Sequence, residues 1–335
     1  MMDQRTATEI GGAALVARAH ALIGEHLRDV ERIFQEELSS RHPFVQEVLG
    51  HLAGYRGKRL RPMLVLLSGM ACGGVDHAHH VIAAVIEMIH TATLVHDDVL
   101  DEATTRRHVA TVNSRWSNET SVLLGDYLFT HAFHLTSRLG DAHLCRVIGR
   151  ATNIVCEGEM SQVGDRGNLY LTEEQYLDII EAKTAELCAV SCELGSRCSG
   201  SPEATSSALD GYGRALGIAF QIADDLLDVV GTERQTGKTL GSDLQKQKLT
   251  LPLIYVLSQA APAQAERVRE LLSHPDGGTR EQVLILLESS GAIDYARSRA
   301  TEYTVAARQK LACLPDSPAK QLMEEMAEFV VIRSA

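Results

Sequence analysis

Apolar residues recur along this chain at three- and four-residue steps. From Ala13 to Leu38 they fall at Leu15, Ala19, Leu22, Ile23, Leu27, Val30 and Phe34, which lines them along one face of a helix. The same period returns near Leu60–Cys72, His77–Val95, Glu119–Arg138, Ala142–Gln162, Glu173–Gly195, Ala204–Val230, Leu249–Ala260, Arg280–Leu287 and Ile293–Leu311. The alternating β-branched runs that strands require are nearly absent. The pattern predicts an all-α fold.

Prolines stand where helices should begin or break, at Pro43, Pro62, Pro202, Pro252, Pro262, Pro275, Pro315 and Pro318. No Pro/Ser/Gly-rich linker divides the chain, and Gly164–Asn168 and Gly231–Gly241 read as short insertions between helices. The expectation is a flexible tail over residues 1–12, ending at Gly11-Gly12, followed by one helical domain over 13–335.

Composition narrows the class. With 45% hydrophobic and 23% charged residues the chain has the balance of a soluble globular protein. A net charge of −12 argues against a nucleic-acid binder, which needs a basic face. Lys58-Arg59-Leu60-Arg61 and Arg106-Arg107 are local exceptions that call for an anionic partner. The seven cysteines form no CxxC pair or framework, as expected of a reduced, cytoplasmic protein. The best candidate for a membrane span, Val81–Val95, is broken by Glu87 and His90, and the N-terminus lacks a signal layout, so no stable membrane insertion is expected. His77, His79 and His80 with Cys72 match no common zinc spacing and read as a polar loop leading into a helix.

The chemistry concentrates in two acidic clusters. In His96-Asp97-Asp98-Val99-Leu100-Asp101 three carboxylates interrupt an apolar helix, and Asp97 and Asp101 are i and i+4, about 5–6 Å apart on one face. A second copy, Asp224-Asp225-Leu226-Leu227-Asp228, repeats the relation in another apolar helix. Carboxylates in apolar surroundings persist when cations neutralise them. Hard oxygen donors of this kind suit Mg²⁺, which takes its remaining ligands from water and substrate phosphates. Arginine and lysine nearby would complete a diphosphate site.

Taken in order, Gly57-Lys58-Arg59-Leu60-Arg61-Pro62, the first DDxxD with Arg106-Arg107, Gly125-Asp126-Tyr127-Leu128, Lys183-Thr184, Gln221 with the second DDxxD, Gly237-Lys238, Lys248-Leu249-Thr250-Leu251-Pro252 and the terminal Phe329–Arg333 run resemble the trans-isoprenyl diphosphate synthases. The resemblance extends from about Leu15 to the C-terminus. It implies a helical bundle around a central cavity and a head-to-tail condensation of isopentenyl diphosphate with an allylic diphosphate, in a homodimer. It implies that Asp97, Asp101 and Asp224 bind Mg²⁺ directly, three ions per site with substrate bound, while Asp98, Asp225 and Asp228 ligate or hold waters. Arg106, Lys183 and Lys238 would contact the allylic diphosphate. Lys58, Arg61, His90 and Arg107 would bind isopentenyl diphosphate, and Thr184 and Gln221 would lie beside the developing carbocation.

In such enzymes the residues four and five positions before the first DDxxD floor the channel for the growing chain. Here they are Thr93 and Ala92, both small, which implies a product longer than fifteen carbons; Leu128, Phe129, Ala132 and Phe133 are candidates for a deeper floor. The chain departs from the pattern at Arg56, His108 and Ala110, which bears on local loop geometry. Two other functions share these features: a non-catalytic subunit of a heteromeric synthase, and a class I terpene cyclase, which would not need Lys58, Arg61 and Arg107.

Overall fold

The computed structural model describes residues 4–55, 57, 59–230, 242–274 and 278–332. In chain order the helices are α1 (Gln4–Glu37), α2 (Pro43–His51), α3 (Leu60–Ala71), α4 (His77–Leu100), α5 (Val112–Arg115), α6 (Asn118–Ser137), α7 (Ala142–Gly164), α8 (Glu173–Ile180), α9 (Glu186–Cys198), α10 (Glu203–Val230), α11 (Ser242–Gln245), α12 (Leu251–Gln259), α13 (Pro262–Ser273), α14 (Thr279–Ser290), α15 (Ala292–Lys310) and α16 (Pro318–Ile332). A hairpin of two-residue strands, β1 (Thr105–Arg106) and β2 (Val109–Ala110), interrupts them, and a π-helical turn, Glu181–Ala185, joins α8 to α9. The all-α expectation holds.

Two expectations at helix starts are corrected. The segment expected as a tail is helical from Gln4. Gly12 lies under the Phe329 ring of α16, so closely that a Cβ there would meet the ring at 2.6 Å, and this contact docks the first turns of α1 on the last helix. The histidine-rich segment is the first turn of α4 and not a loop. Asp76 caps it by accepting from the Ala78 and His79 N–H groups, and the His79 ring returns to the Asp76 N–H, a reciprocal capping box.

α4 and α10 carry the acidic clusters and lie at the centre. α4 packs against α6, α3 and α1, and α10 against α9 and α15. By length and composition α4 could cross a membrane, but 72% of its most apolar stretch is buried inside the protein, the mark of a core helix. α10 is apolar on two faces. Leu209, Tyr212 and Leu216 join a core shared with α1, α3, α4, α6, α9 and α16, whereas Ile218, Ile222 and Val229 join a second core built with α8 and α12–α15.

Both acidic clusters fall at the C-terminal ends of their helices, with Asp101 as the C-cap of α4. The helix dipole is negative there, so these carboxylates add charge where the fold least favours it. Cations must offset that cost, and their placement defines the site.

Candidate active site

The π-helical turn bridges the two acidic helices. Glycines let it approach its neighbours: a Cβ on Gly217 of α10 would stand 2.5 Å from Ala185 Cα, and one on Gly158 of α7 would stand 2.8 Å from the Lys183 N. From this turn Lys183 reaches α4 while Thr184 reaches α10. Lys183 Nζ lies 3.4 Å from Asp97 Oδ2, 2.6 Å from Glu159 Oε2 and 3.0 Å from Gln162 Oε1. Thr184 donates to Gln221 Oε1 at 2.8 Å, and the Gln221 amide donates to Asp225 Oδ1 at 2.6 Å. A continuous polar chain thus runs from Asp97 to Asp225. Burial pulls the Lys183 ammonium down, but Asp97 and Glu159 outweigh it and raise its pKa. Burial first, then Asp97, pushes the Glu159 carboxyl up.

Each middle aspartate is buried among protein donors. Asp98 is 1% exposed; its Oδ1 accepts from Arg106 Nε at 2.8 Å and its Oδ2 from the Tyr55 hydroxyl at 3.0 Å. Asp225 is 7% exposed and accepts from the Tyr176 hydroxyl at 2.7 Å as well as from Gln221. Burial is the first cause of the raised pKa of both, aided at Asp225 by Asp243. The oxygens of these two aspartates, expected in the metal-binding set, each hold a protein donor. Asp228 accepts from the Asp243 N–H at 3.2 Å, which ties the end of α10 to the start of α11. Arg106, expected on the allylic diphosphate, is engaged with Asp98.

Tyr55 links three parts of the site. Besides donating to Asp98, its hydroxyl accepts from the buried Val112 N–H at 3.1 Å, and its carbonyl accepts from Arg107. Arg107 and His108 occupy the two central positions of the hairpin with φ of 50° and 65°, as a two-residue turn of this kind requires. Tyr55→Phe leaves the Val112 N–H without its acceptor, at a cost of about 1–3 kcal/mol. We expect faster amide hydrogen exchange across residues 105–112, while unchanged exchange there would refute the clasp.

Cations also surround His90. Burial first, then Arg61, Arg107, Arg106 and Arg59, pushes its imidazole well below the ordinary range, so the ring is neutral amid positive charge. Among the described residues Arg61 Nε is buried with no hydrogen-bond partner. A buried unpaired guanidinium nitrogen is costly and suits a site that receives an anion. Arg59, by contrast, is structural: in a left-handed conformation it pairs with Glu87 at 2.6 Å and Glu31 at 2.8 Å, pinning α1 and α4 together. Lys58 and Lys238 lie outside the described residues.

Ala92 is fully buried, while Thr93 donates to the His90 carbonyl at 2.8 Å. One turn beyond Ala92, the His96 ring lies on Gly125 of α6 and 5.8 Å from the Phe129 ring. Leu128 and Ala132 are fully buried in the same core.

The donor set fits a divalent metal. Among the described residues no three His, Cys, Asp or Glu side chains converge as a ready cage. Asp97 and Asp101 instead offer paired carboxylates held by cations, the type of site in which Mg²⁺ takes only one or two protein carboxylates and completes its shell from substrate.

An all-helical bundle with two acidic helix ends bridged by a lysine-threonine turn and flanked by an arginine pocket defines a prenyltransferase. The chain belongs to the Polyprenyl synthetase family, whose model matches residues 42–288. It is 36% identical to the octaprenyl diphosphate synthase of Escherichia coli (strain K12) over 317 residues, 94% of this chain and 98% of that one. Among solved structures, a decaprenyl diphosphate synthase from Rhodobacter capsulatus superimposes with a TM-score of 0.90 at 38% identity, covering 96% of this chain and 99% of that chain. A polyprenyl synthase from Caulobacter crescentus CB15, complexed with calcium and isoprenyl diphosphate, gives 0.90 at 35% identity, covering 96% and 98%.

Residue order alone missed several groups in the site. Glu159 and Gln162 hold Lys183, Tyr55 and Tyr176 hold the middle aspartates, and Arg166 and Lys246 hold Asp101. The sequence offered one faint signal, Gly158 inside a helical pattern next to Glu159.

Proposed function

We propose that this enzyme condenses isopentenyl diphosphate head-to-tail with an allylic diphosphate, in a magnesium-dependent reaction whose product exceeds fifteen carbons. The observation that supports the proposal is the Lys183-Thr184 turn, whose lysine reaches Asp97 on α4 while its threonine bonds Gln221 on α10, so that one short segment links the two acidic helices. Asp97, Asp101 and Asp224 would hold magnesium, three ions per site, which supplies Lewis-acid charge to the departing diphosphate. Lys183, held by Glu159 and Gln162, adds a fixed positive charge to the same leaving group, and Lys238 would add a second. Thr184 and Gln221, joined by their hydrogen bond, would lie beside the carbon that becomes cationic and offer it a preorganised stabilisation of developing charge. Arg61 and Arg107, with neutral His90 and Lys58, seat the isopentenyl diphosphate, which needs no metal in a pocket already this positive. Its double bond attacks the allylic carbon, and the departing diphosphate takes the released proton.

The chain is proposed to act as a homodimer. Val122 and Leu123 on α6, and Met160 and Val163 on the adjoining α7, are large apolar residues exposed at 44%, 68%, 73% and 41%. Apolar exposure concentrated on neighbouring helices marks an association surface. The free cysteines suit a reducing compartment, and the cytoplasm is the proposed location.

Incubating the pure protein with Mg²⁺, labelled isopentenyl diphosphate and each allylic starter tests the reading. We expect label in products longer than fifteen carbons by chromatography. A cyclase would incorporate no label, and a regulatory subunit would turn over only after a second chain is added.

A further inference from the structure

Asp101 gathers more positive charge than one carboxylate balances. Lys246 Nζ lies 2.9 Å from its Oδ2, while Arg166 lies 3.0 Å and Lys248 Nζ 3.8 Å from its Oδ1. Burial raises the Asp101 carboxyl, but Lys248, Lys246 and Lys183 outweigh it and hold it below the usual range.

The loops that deliver these cations are stapled together. The Gly167 N–H donates to the Gln247 carbonyl at 3.1 Å, joining the segment after α7 to the turn after α11. Gln247 is left-handed with φ of 53°, a conformation that costs a non-glycine residue about 1–2 kcal/mol. Three further bonds hold it there: Gln247 N–H to the Leu244 carbonyl at 3.0 Å, Lys248 N–H to the Asp243 carbonyl at 2.8 Å, and the Gln247 amide to the Ser273 carbonyl at 3.0 Å. The strained turn aims Lys246 and Lys248 at one carboxylate.

Arg166 and Lys246 differ in what else they hold. Arg166 also donates to the Leu100 carbonyl at 3.2 Å, so it is anchored to the last turn of α4. Among the described residues Lys246 pairs with Asp101 alone, and its four-carbon stem can swing. We propose that Lys246 is an additional binding residue for the allylic diphosphate: it rests on Asp101 while no metal is bound and passes to a diphosphate oxygen when a divalent ion takes the Asp101 carboxylate. Arg166 stays behind as a positioning residue that fixes Asp101. This rests on the function proposed above. The exchange keeps both partners paired in each state, since the metal that displaces the ammonium arrives with the polyanion that receives it.

Titration calorimetry on the full chain separates the possibilities, using Mn²⁺ alone and then inorganic diphosphate with Mg²⁺. With Lys246→Met, which keeps the apolar stem, we expect Mn²⁺ alone to bind at least as tightly as to wild type. Diphosphate with Mg²⁺ should bind about tenfold more weakly, the scale of one lost charge-assisted hydrogen bond. Lys246→Arg should restore the diphosphate affinity. Diphosphate binding within twofold of wild type in the methionine variant overturns the proposal, and so does weakened binding of Mn²⁺ alone, which would make Lys246 a structural support. Wild-type protein that binds no diphosphate with Mg²⁺ overturns the functional reading itself.

Discussion

Asp97→Ala and Asp224→Ala each lower kcat by about 10³-fold, the scale on which losing one preorganised electrostatic contact to the leaving group acts. The loss should fall on kcat more than on KM, because charge builds on the diphosphate only as the allylic bond breaks. Stability should move the other way. Asp97 stands in the last turn of α4, near the negative end of the helix dipole, so removing it relieves repulsion there. Lys183 still keeps Glu159 at 2.6 Å when Asp97 is gone. The expected result is an Asp97→Ala enzyme that is dead yet melts no lower than wild type, and a wild-type enzyme silenced by chelator and revived by Mg²⁺. Turnover within tenfold of wild type in either variant would remove the basis of the mechanism. A melting point several degrees lower in Asp97→Ala would show that Asp97 serves the fold instead.

That separation of activity from stability also explains which residues could be read in advance. Charge inside an apolar period announces itself, and Asp97, Asp101, Asp224 and Asp228 stood out in the sequence for that reason. The surroundings of the middle aspartates did not. Asp98 and Asp225 look the same in the sequence as their neighbours, and only the fold brings the hydroxyls of Tyr55 and Tyr176 onto them from other elements. Glu159 was silent because its partner Lys183 lies on another element, and a contact between α7 and the π-helical turn has no period.

Local signals behaved similarly. Proline marked the starts of α2, α12, α13 and α16, although α2, α13 and α16 escaped the apolar-period reading because they are short or strongly mixed. The π-helical turn left no trace in the sequence, since Glu173–Gly195 keeps one apolar period through it. What places Lys183 and Thr184 on opposite sides is packing against Gly158 and Gly217. The hairpin carrying Arg106 and Arg107 was equally hidden, because its turn uses Arg107 and His108 where glycine or asparagine would have signalled it.

Ala92→Phe should convert the enzyme into one that releases shorter products while leaving the chemistry intact. A chain growing from the carbon beside Asp97 must run into apolar surroundings, and α4 offers them along the face it shares with α6. Ala92 belongs to that face: it lies one turn before His96, whose ring rests on Gly125 of α6, and it is fully buried beside a core that includes Leu128 and Ala132. Five residues before Asp97 is about 7.5 Å along the helix axis, so a ring placed there stops the chain after few condensations. Overpacking should cost about 1–3 kcal/mol, which a fully folded variant can absorb and a melting curve will register. The first condensation needs only the space next to Asp97, so its rate with a short allylic starter should stay within a few-fold of wild type, while chromatography shows the product distribution collapsing to shorter chains. Thr93→Phe is the internal comparison. Its hydroxyl faces the His90 carbonyl at 2.8 Å, one turn before Asp97, so this ring should hinder the starter itself and slow even the first step. A folded Ala92→Phe enzyme that still makes full-length product would mean that the chain leaves the site by another path than the α4–α6 face.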